Sequence, residues 1–267
     1  MKKVTSIFLI LFLTLSYISI AQTNRELNQT DKKGQKQGYW KKFYPNGNIQ
    51  YEGTFKNNKP VGLMKRYSPE GFLKAELNYI ENSEKIYAKF FYPNQNIEAE
   101  GLYIGRLKDS IWHFYTEDNY LINIVSFKLD KKHGLEEKYY FSGKISEKLL
   151  WEEGKKHGLS IRYYENGNVM MRIAYNMDML DGEYNVYNSE ENILIQGKYS
   201  NNKREGKWIY YKNTGHIDRE VVYINGVAEN QEELERLEHE QLEMLEKNKG
   251  KIPDPRDSFY NTMPPGN

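Results

Sequence analysis

Histidine and glutamate are the side chains in this sequence that could bind a metal or move protons. The chain has 5 histidines and no cysteine. His133 and His157 each follow two lysines, precede a glycine and lie 24 residues apart. Two imidazoles could share a metal ion, but duplication of an exposed turn explains the pattern more simply. His239 begins like the helix motif of zinc proteases, yet Glu243 stands where the second histidine would be. The spacing therefore favours no metal site.

Other catalytic and cofactor motifs are also missing from the sequence. There is no Gly-x-Ser-x-Gly elbow, no phosphate loop and no EF-hand series. Without cysteine the chain can have no disulfide, no thiol catalysis and no lipid anchor on an N-terminal cysteine. The near balance of 38 basic and 37 acidic residues argues against nucleic acid as the main partner. We therefore expect a protein that is not an enzyme and uses no cofactor.

The aromatic residues, 23 Tyr, 11 Phe and 4 Trp, carry the remaining chemical signal. They follow a strict period of 24 residues from 38 to 229, which gives eight units. We number repeat positions from 0 at Gly38. Position 5 is always aromatic: Phe43, Tyr67, Phe91, Tyr115, Tyr139, Tyr163, Tyr187 and Tyr211. Position 17 is also always aromatic: Phe55, Tyr79, Tyr103, Phe127, Trp151, Tyr175, Tyr199 and Tyr223. Position 11 is always aliphatic, from Ile49 to Ile217.

Each unit has the pattern of a β-hairpin. In the first unit the residues from Ile49 to Phe55 alternate between apolar or small and polar, with a period of two. The segment Pro45–Asn48 before them has the residues of a tight turn. A lone hairpin is marginally stable, so neighbouring units must stack on one another. We predict an all-β fold: an elongated single-layer antiparallel meander of eight hairpin repeats, with the two aromatic columns as its core.

Further aromatic and basic residues lie at positions 2, 4 and 6. Strict alternation places them on the face opposite position 5, where an exposed strip would form a recognition surface for protein or glycan. The candidate binding residues are Trp40, Tyr44, Arg66, Tyr92, Trp112, Phe114, Tyr140, Arg162, Tyr164, Trp208 and Tyr210. The alternatives are a curled sheet that buries part of both faces, or a bulge near position 0 that reverses the register.

The repeats resemble a known family. The segments Tyr51–Gly62, Trp151–Gly158 and Gly197–Trp208 are similar to MORN repeats, in which a Tyr-x-Gly-x-aromatic strand is followed by a Gly/Asn/Lys turn and a glycine. The second glycine of the family's Gly-x-Gly is replaced here, for example by Trp40 or Met64, as in the bacterial variant often described as the YwqK-family antitoxin type. The resemblance implies an elongated, curved sheet that acts as an interaction or membrane-associated module.

The N-terminal segment has the layout of a secretory signal peptide. Lys2 and Lys3 precede an apolar run, and Ser19 and Ala21 stand at the −3 and −1 positions of a cleavage site. We expect residues 1–21 to be removed and the product to be exported as a soluble protein, periplasmic or extracellular, that is not a lipoprotein. The alternative is an uncleaved anchor. Residues 22–37 are polar and are predicted to be a linker.

The C-terminal segment changes pattern after the last repeat. Residues 230–248 are rich in glutamate, and one helical face carries Leu234, Leu237, Gln241, Met244 and Leu245. The predicted acidic amphipathic helix could cap the open edge of the last hairpin, pair with a partner or a second copy, or lie in solvent. Residues 249–267 are rich in proline and are predicted to be a disordered tail.

These patterns predict an exported repeat scaffold that binds another macromolecule, most simply a protein. Two alternatives remain open. One is an antitoxin- or immunity-type inhibitor of a toxin. The other is a binder of cell-envelope glycan or lipid that uses Trp40, Trp112 and Trp208.

Overall fold

The computed structural model describes residues 26–247, without eight of the side chains in the C-terminal helix. The predicted signal peptide, residues 22–25 of the predicted linker, residue 248 and the predicted tail lie outside this range. The side chains of Leu234, Leu237, Gln241, Met244 and Leu245, on which the apolar helix face was predicted, also lie outside the described ones. The predicted fold class is confirmed: one antiparallel meander sheet of 19 strands precedes a single described helix.

The strands follow one another with only short turns between them before the helix. Their bounds are β1 Gln29–Thr30, β2 Lys36–Phe43, β3 Ile49–Lys56, β4 Lys59–Tyr67, β5 Leu73–Tyr79, β6 Lys85–Phe91, β7 Ile97–Ile104, β8 Leu107–Tyr115, β9 Leu121–Lys128, β10 Lys131–Tyr139, β11 Ile145–Glu152, β12 Lys155–Lys156, β13 Gly158–Tyr163, β14 Val169–Asn176, β15 Met179–Tyr187, β16 Ile193–Ser200, β17 Lys203–Tyr211, β18 Ile217–Ile224 and β19 Val227–Ala228. The helix α1 is Gln231–Lys247.

Each strand pairs with its neighbours in the sequence, as a meander requires. β2 pairs with β3, β3 with β4, and the series continues to β18 and β19. β12 and β13 together occupy the place of one strand in the sheet, because both pair with β11. The two strands of a repeat are joined by a tight turn, in which Gly47 of the first unit has φ +87. Such a turn favours glycine.

A β-bulge in each repeat decides which residues share a face. In the first unit Phe43 pairs with Ile49, whereas Lys42 pairs with Tyr51, so Gln50 is an extra residue in the second strand. A one-residue slip reverses the facing of every side chain beyond it. Position 5 is therefore placed on the face opposite position 17. The prediction that these two columns share one core is wrong for this reason.

We call the face that carries positions 2, 4, 13, 15 and 17 the aromatic face, and the face that carries positions 1, 3, 14 and 16 the ion-pair face. Two buried clusters lie on the aromatic face. One is centred on Trp112 with Ala88 and Ala99, and the other on Trp208 with Val221 and Tyr223. The core of this single-layer protein thus consists of side chains that pack along one face of the sheet.

Neighbouring strands on the aromatic face alternate small and large residues. Trp112 covers Gly101 and Trp208 covers Gly197, so closely that a Cβ on either glycine would lie within 2.3 Å of a ring atom. Position 15 of one unit therefore limits the size of position 2 in the next. Five of the seven such pairs join a small and a large residue: Gly53 with Met64, Leu77 with Ala88, Gly101 with Trp112, Leu149 with Ser160, and Gly197 with Trp208. In the other two, Val125 pairs with Glu136 and Ile173 with Tyr184.

The two edges of the sheet end differently. At the first edge β1 pairs with β2, and the Asn28 side chain accepts a hydrogen bond from the Lys41 backbone N–H at 2.8 Å. At the last edge β19 pairs only with Tyr223 and Ile224, and α1 then replaces the rest of a ninth unit. Ile217 to Glu220 are exposed, and so is every described side chain of α1. In the described part of the chain, α1 therefore does not cover this edge.

Candidate binding surface

The predicted tryptophan strip is buried rather than exposed. Trp112 and Trp208 are each 1% exposed, and Trp40 is half-buried. The Trp112 Nε1–H donates to the Leu102 carbonyl at 3.0 Å. The expectation that Trp112 and Trp208 present their rings to a ligand is wrong. They form the core because the bulge places position 2 on the same face as position 17.

Four of the predicted tyrosines form a hydrogen bond between repeats. The hydroxyl of Tyr44 donates to the Tyr67 carbonyl at 2.9 Å, one unit further along the chain. Tyr92, Tyr140 and Tyr164 make the same bond to the carbonyls of Tyr115, Tyr163 and Tyr187. In these four units the tyrosine at position 6 therefore connects its own hairpin turn to that of the next unit by a hydrogen bond. The ring of Tyr44 also lines a groove that is described below.

The remaining predicted residues are distributed around the core clusters. Phe114 stacks on Trp112 with ring centroids 6.2 Å apart, and Tyr210 packs against the Trp208 cluster. Arg66 is exposed. The Arg162 Nε lies 2.9 Å from Glu147 Oε1. The predicted binding residues thus fall into three groups: those in the core, those that form hydrogen bonds between repeats, and those on the surface.

A row of cations crosses the aromatic face at position 22. Lys36, Lys108, Lys132, Lys156 and Arg204 lie over aromatic rings of the adjacent strands. The closest of these contacts joins Lys132 Nζ to the centroid of Trp151 at 4.4 Å. A cation over a ring face is attracted by its quadrupole. This column is not among the predicted binding residues, although Lys108, Lys132 and Lys156 repeat at the 24-residue spacing.

A buried carboxylate interrupts the aromatic face in the fifth unit. Glu136 stands at the tryptophan position and is 1% exposed. It accepts hydrogen bonds from Trp151 Nε1 at 2.6 Å, Asn123 Nδ2 at 2.8 Å and Lys132 Nζ at 2.8 Å. Burial raises the pKa of Glu136, but these donors outweigh it and hold the pKa below the usual value. The carboxylate is fully engaged and so serves the packing of the sheet.

Lysine–glutamate pairs run along the ion-pair face. Positions 3 and 14 supply Lys41–Glu52 at 3.0 Å, Lys65–Glu76 at 3.1 Å and Lys89–Glu100 at 3.0 Å. Position 5 joins them, because the hydroxyl of Tyr67 donates to Glu52 at 2.7 Å. Burial opposes ionisation of Glu52, yet hydrogen bonds from Tyr67, Lys41 and Tyr39 outweigh it and lower its pKa to about 2.

Position 1 puts a row of exposed apolar side chains on the ion-pair face. This row, which we call the apolar strip, contains Leu63 at 47% exposed, Tyr87 at 54%, Ile111 at 54%, Leu135 at 39% and Leu159 at 41%. A groove of about 730 Å³ runs beside its first three members. Sequence reasoning missed the strip because it assigned the recognition surface to the tryptophan columns.

The strip stops in the last two units, where position 1 is Glu183 and Lys207. The apolar surface therefore covers a defined part of the face, between Leu63 and Leu159. The described residues contain no group of three or more potential metal ligands. In the same range, no helix is long and apolar enough to cross a membrane.

Comparison with known proteins agrees with the repeat geometry. Residues 36–57, 132–153 and 156–177 match the family described as the MORN repeat variant. Each match begins at position 22, within one residue of the start of a strand, so all three keep the phase of the 24-residue period. No curated protein sequence matches the chain. These three segments of the chain are therefore similar to MORN repeats of the variant type, and their phase agrees with the structural repeat.

Proposed function

We propose that this protein is an exported, non-enzymatic scaffold that binds another protein through the apolar strip. The observation that carries the proposal is the exposure of five apolar side chains at one repeat position in five successive units. An exposed row of this kind is costly in water unless a partner covers it. MORN repeats also typically act as modules that bind proteins or membrane lipids, which supports a binding role.

The surroundings of the strip favour a protein over a charged membrane. The ion pairs beside it are balanced: Lys65 pairs with Glu76, Lys89 with Glu100, and Lys148 with Glu137. An anionic lipid surface would instead select an excess of cations. An apolar centre with a polar rim is the usual anatomy of a protein interface.

The length of the strip defines the partner. Leu63 and Leu159 are separated by four repeats, or eight strand spacings. At roughly 4.8 Å per strand the strip is about 38 Å long. A partner segment that covers it must be equally long, as a helix of about 25 residues would be.

The experiment uses the variant Ile111→Glu/Leu135→Glu. Both side chains are exposed, so the change is made on the surface and the fold should be kept. We expect the variant to lose a protein that the wild-type chain captures from the native envelope, as identified by mass spectrometry.

The matched control is Leu129→Glu/Ile217→Glu. These residues are each 53% exposed, but Leu129 lies in a turn and Ile217 at the last edge of the sheet. The control should retain the partner with unchanged affinity. If the strip variant binds equally well, or if the control loses the partner too, the strip is not the binding surface.

The alternative function as an antitoxin- or immunity-type inhibitor differs from this proposal only in the partner, which would be a toxin. It predicts a toxin gene beside this one and a stoichiometric complex that the strip variant abolishes. The glycan alternative loses its structural basis at Trp112 and Trp208, because a buried ring cannot stack on a sugar. Substitution of either residue would test stability rather than binding.

Export is part of the proposal and rests on the sequence of residues 1–21. It predicts that the mature chain begins after Ala21 and is found outside the cytoplasm. N-terminal sequencing of the protein from cell fractions measures both. A chain that begins at Met1 and stays in the cytoplasm would contradict this part and leave the strip experiment unaffected.

A further inference from the structure

A basic groove lies on the aromatic face of the first three units, away from the apolar strip. Its volume is about 640 Å³, and Tyr51, Ala75 and Phe90 form its apolar part. Lys42, Arg66 and Lys74 line it as well. All three cations are exposed, and none makes a hydrogen bond or an ion pair to a described residue.

The basic groove contrasts with the rest of the sheet, where lysines of the ion-pair face have glutamate partners. Glu98 is its acidic lining residue, so the three cations leave a net charge of +2. An unpaired cation beside apolar surface selects a ligand that brings both negative charge and apolar contact. The groove is therefore built for an acidic, amphipathic partner.

The helix α1 of this same chain has that chemistry. Five of its glutamates are described and exposed: Glu232, Glu233, Glu235, Glu240 and Glu243. Arg236 is the basic residue among the described side chains of α1, so those residues carry a net charge of −4. Leu242 is 60% exposed, and no strand runs alongside the helix in the described structure. The helix is thus free to bind elsewhere.

The helix cannot reach the groove of its own chain. The groove ends at β7, and about ten strand spacings separate β7 from β18, which is roughly 48 Å at 4.8 Å per strand. The helix has 17 residues, which makes it about 25 Å long. It begins directly after β19, so its own groove lies beyond its reach.

The dimensions of the two elements agree between copies. The groove crosses from β2 to β7, five strand spacings or roughly 24 Å, which matches the length of α1. We propose that α1 of one copy binds the basic groove of a second copy, with its glutamates facing Lys42, Arg66 and Lys74. This inference does not rest on the proposed function, because the groove and the apolar strip are on opposite faces.

The contact joins two different surfaces, so it is heterologous and repeats from copy to copy. The protein is expected to form head-to-tail oligomers that grow with concentration. Exposed charges hold them together, so salt must weaken the association.

Sedimentation velocity of the purified mature chain tests this. The wild type should associate in 50 mM salt and dissociate toward the monomer in 500 mM salt. The groove variant Lys42→Glu/Arg66→Glu/Lys74→Glu should weaken association by at least about ten-fold, since three ion pairs become repulsions. The control Lys59→Glu/Lys155→Glu/Lys203→Glu makes the same charge change at exposed residues that begin β4, β12 and β17 and should associate like the wild type.

A charge exchange identifies the partner of the groove. The helix variant Glu235→Lys/Glu240→Lys/Glu243→Lys should also lose association, while circular dichroism shows that its helix is kept. A chain that carries both the groove changes and the helix changes should associate again, because its acidic groove fits the basic helix of another copy. Mixing the two single-surface variants should restore head-to-tail growth with the two chains alternating, because the acidic groove of one variant fits the basic helix of the other and the unchanged groove fits the unchanged helix. Each variant alone should stay dissociated.

Several results would overturn the proposal. A wild-type chain that stays monomeric in low salt would do so, as would a groove variant that associates like the control. Failure of the combined variant to associate would mean that the groove binds something other than α1. None of these results depends on the fate of the apolar strip.

Discussion

The contact between Gly101 and Trp112 gives the sharpest prediction about stability. Replacing Gly101 by alanine would place a Cβ 2.3 Å from the nearest ring atom of Trp112. Carbon atoms in favourable contact are about 3.5–4.0 Å apart, so the indole would have to move outward by roughly 1 Å. The backbone of Gly101 does not have a positive φ, so alanine brings no dihedral strain of its own.

The indole is held in place from several sides. Its Nε1–H donates to the Leu102 carbonyl at 3.0 Å, and Tyr103 packs edge-on with ring centroids 4.9 Å apart. Phe90 and Phe114 stack on it with ring centroids 6.3 and 6.2 Å away. Overpacking a core costs about 1–3 kcal/mol, and the loss of the hydrogen bond adds about 1 kcal/mol. Alanine recovers about 0.5–1 kcal/mol relative to glycine in a strand. We expect a net loss of about 2 kcal/mol.

Thermal unfolding followed by circular dichroism and tryptophan fluorescence measures this loss. For a domain of this size, about 2 kcal/mol corresponds to a decrease in Tm of about 4–8 °C. The matched control is Gly53→Ala, whose Cβ would meet Met64 at 3.1 Å. We expect the control to lose less than half as much stability.

A double variant separates crowding from other effects. Trp112→Leu removes the ring that the new methyl group meets, so the costs of Gly101→Ala and Trp112→Leu should not add. The sum of the two single losses should exceed the loss in the double variant by at least about 1 kcal/mol. A Gly101→Ala variant with the stability of the wild type, or with additive costs, would refute the packing argument.

Three further predictions concern the polar contacts. Glu136→Ala should lower the free energy of unfolding by about 3 kcal/mol, measured by urea denaturation, because Lys132, Trp151 and Asn123 lose a buried acceptor; a loss below about 1 kcal/mol would contradict that role. The pKa of Glu52 is lowered to about 2 from 4.5, so its contribution to the free energy of unfolding is present above pH 4.5 and is lost as the pH falls toward 2. Glu52→Gln should therefore flatten the dependence of the unfolding free energy on pH in that window. An unchanged slope would disprove this role of Glu52. Tyr140→Phe should cost about 1 kcal/mol in the same urea assay, whereas Tyr120→Phe, at an exposed turn, should cost nothing measurable.

The architecture can be predicted well from the sequence because the same hairpin pattern occurs in eight successive units. The period and the hairpins are visible in the spacing of Gly38, Phe43 and Phe55 and their equivalents, and the C-terminal helix in the change to a glutamate-rich pattern after the last repeat. Local turn residues and alternating strands are short-range features, and a meander adds no long-range pairing to be guessed.

The facing of the side chains could not be predicted in the same way. Alternation links Ile49 to Phe55 on one face, and only the extra residue Gln50 breaks that link. A β-bulge requires no particular residue type, so it cannot be recognised in the sequence. The sequence therefore shows the repeat columns but not which of them lie on the same face of the sheet. Strict alternation therefore predicts the tryptophans on the surface and does not reveal the apolar strip from Leu63 to Leu159.

The asymmetry of the two sheet edges has a consequence for how the chain is made. Asn28 and β1 close the first edge before any later repeat exists, so the growing sheet always offers one free edge, at its C-terminal end. Every strand pairs with a neighbour already synthesised, and such short sequence separations favour rapid folding. The protein can therefore assemble in the order of translation, hairpin by hairpin, until the helix takes the place of the ninth repeat and growth stops.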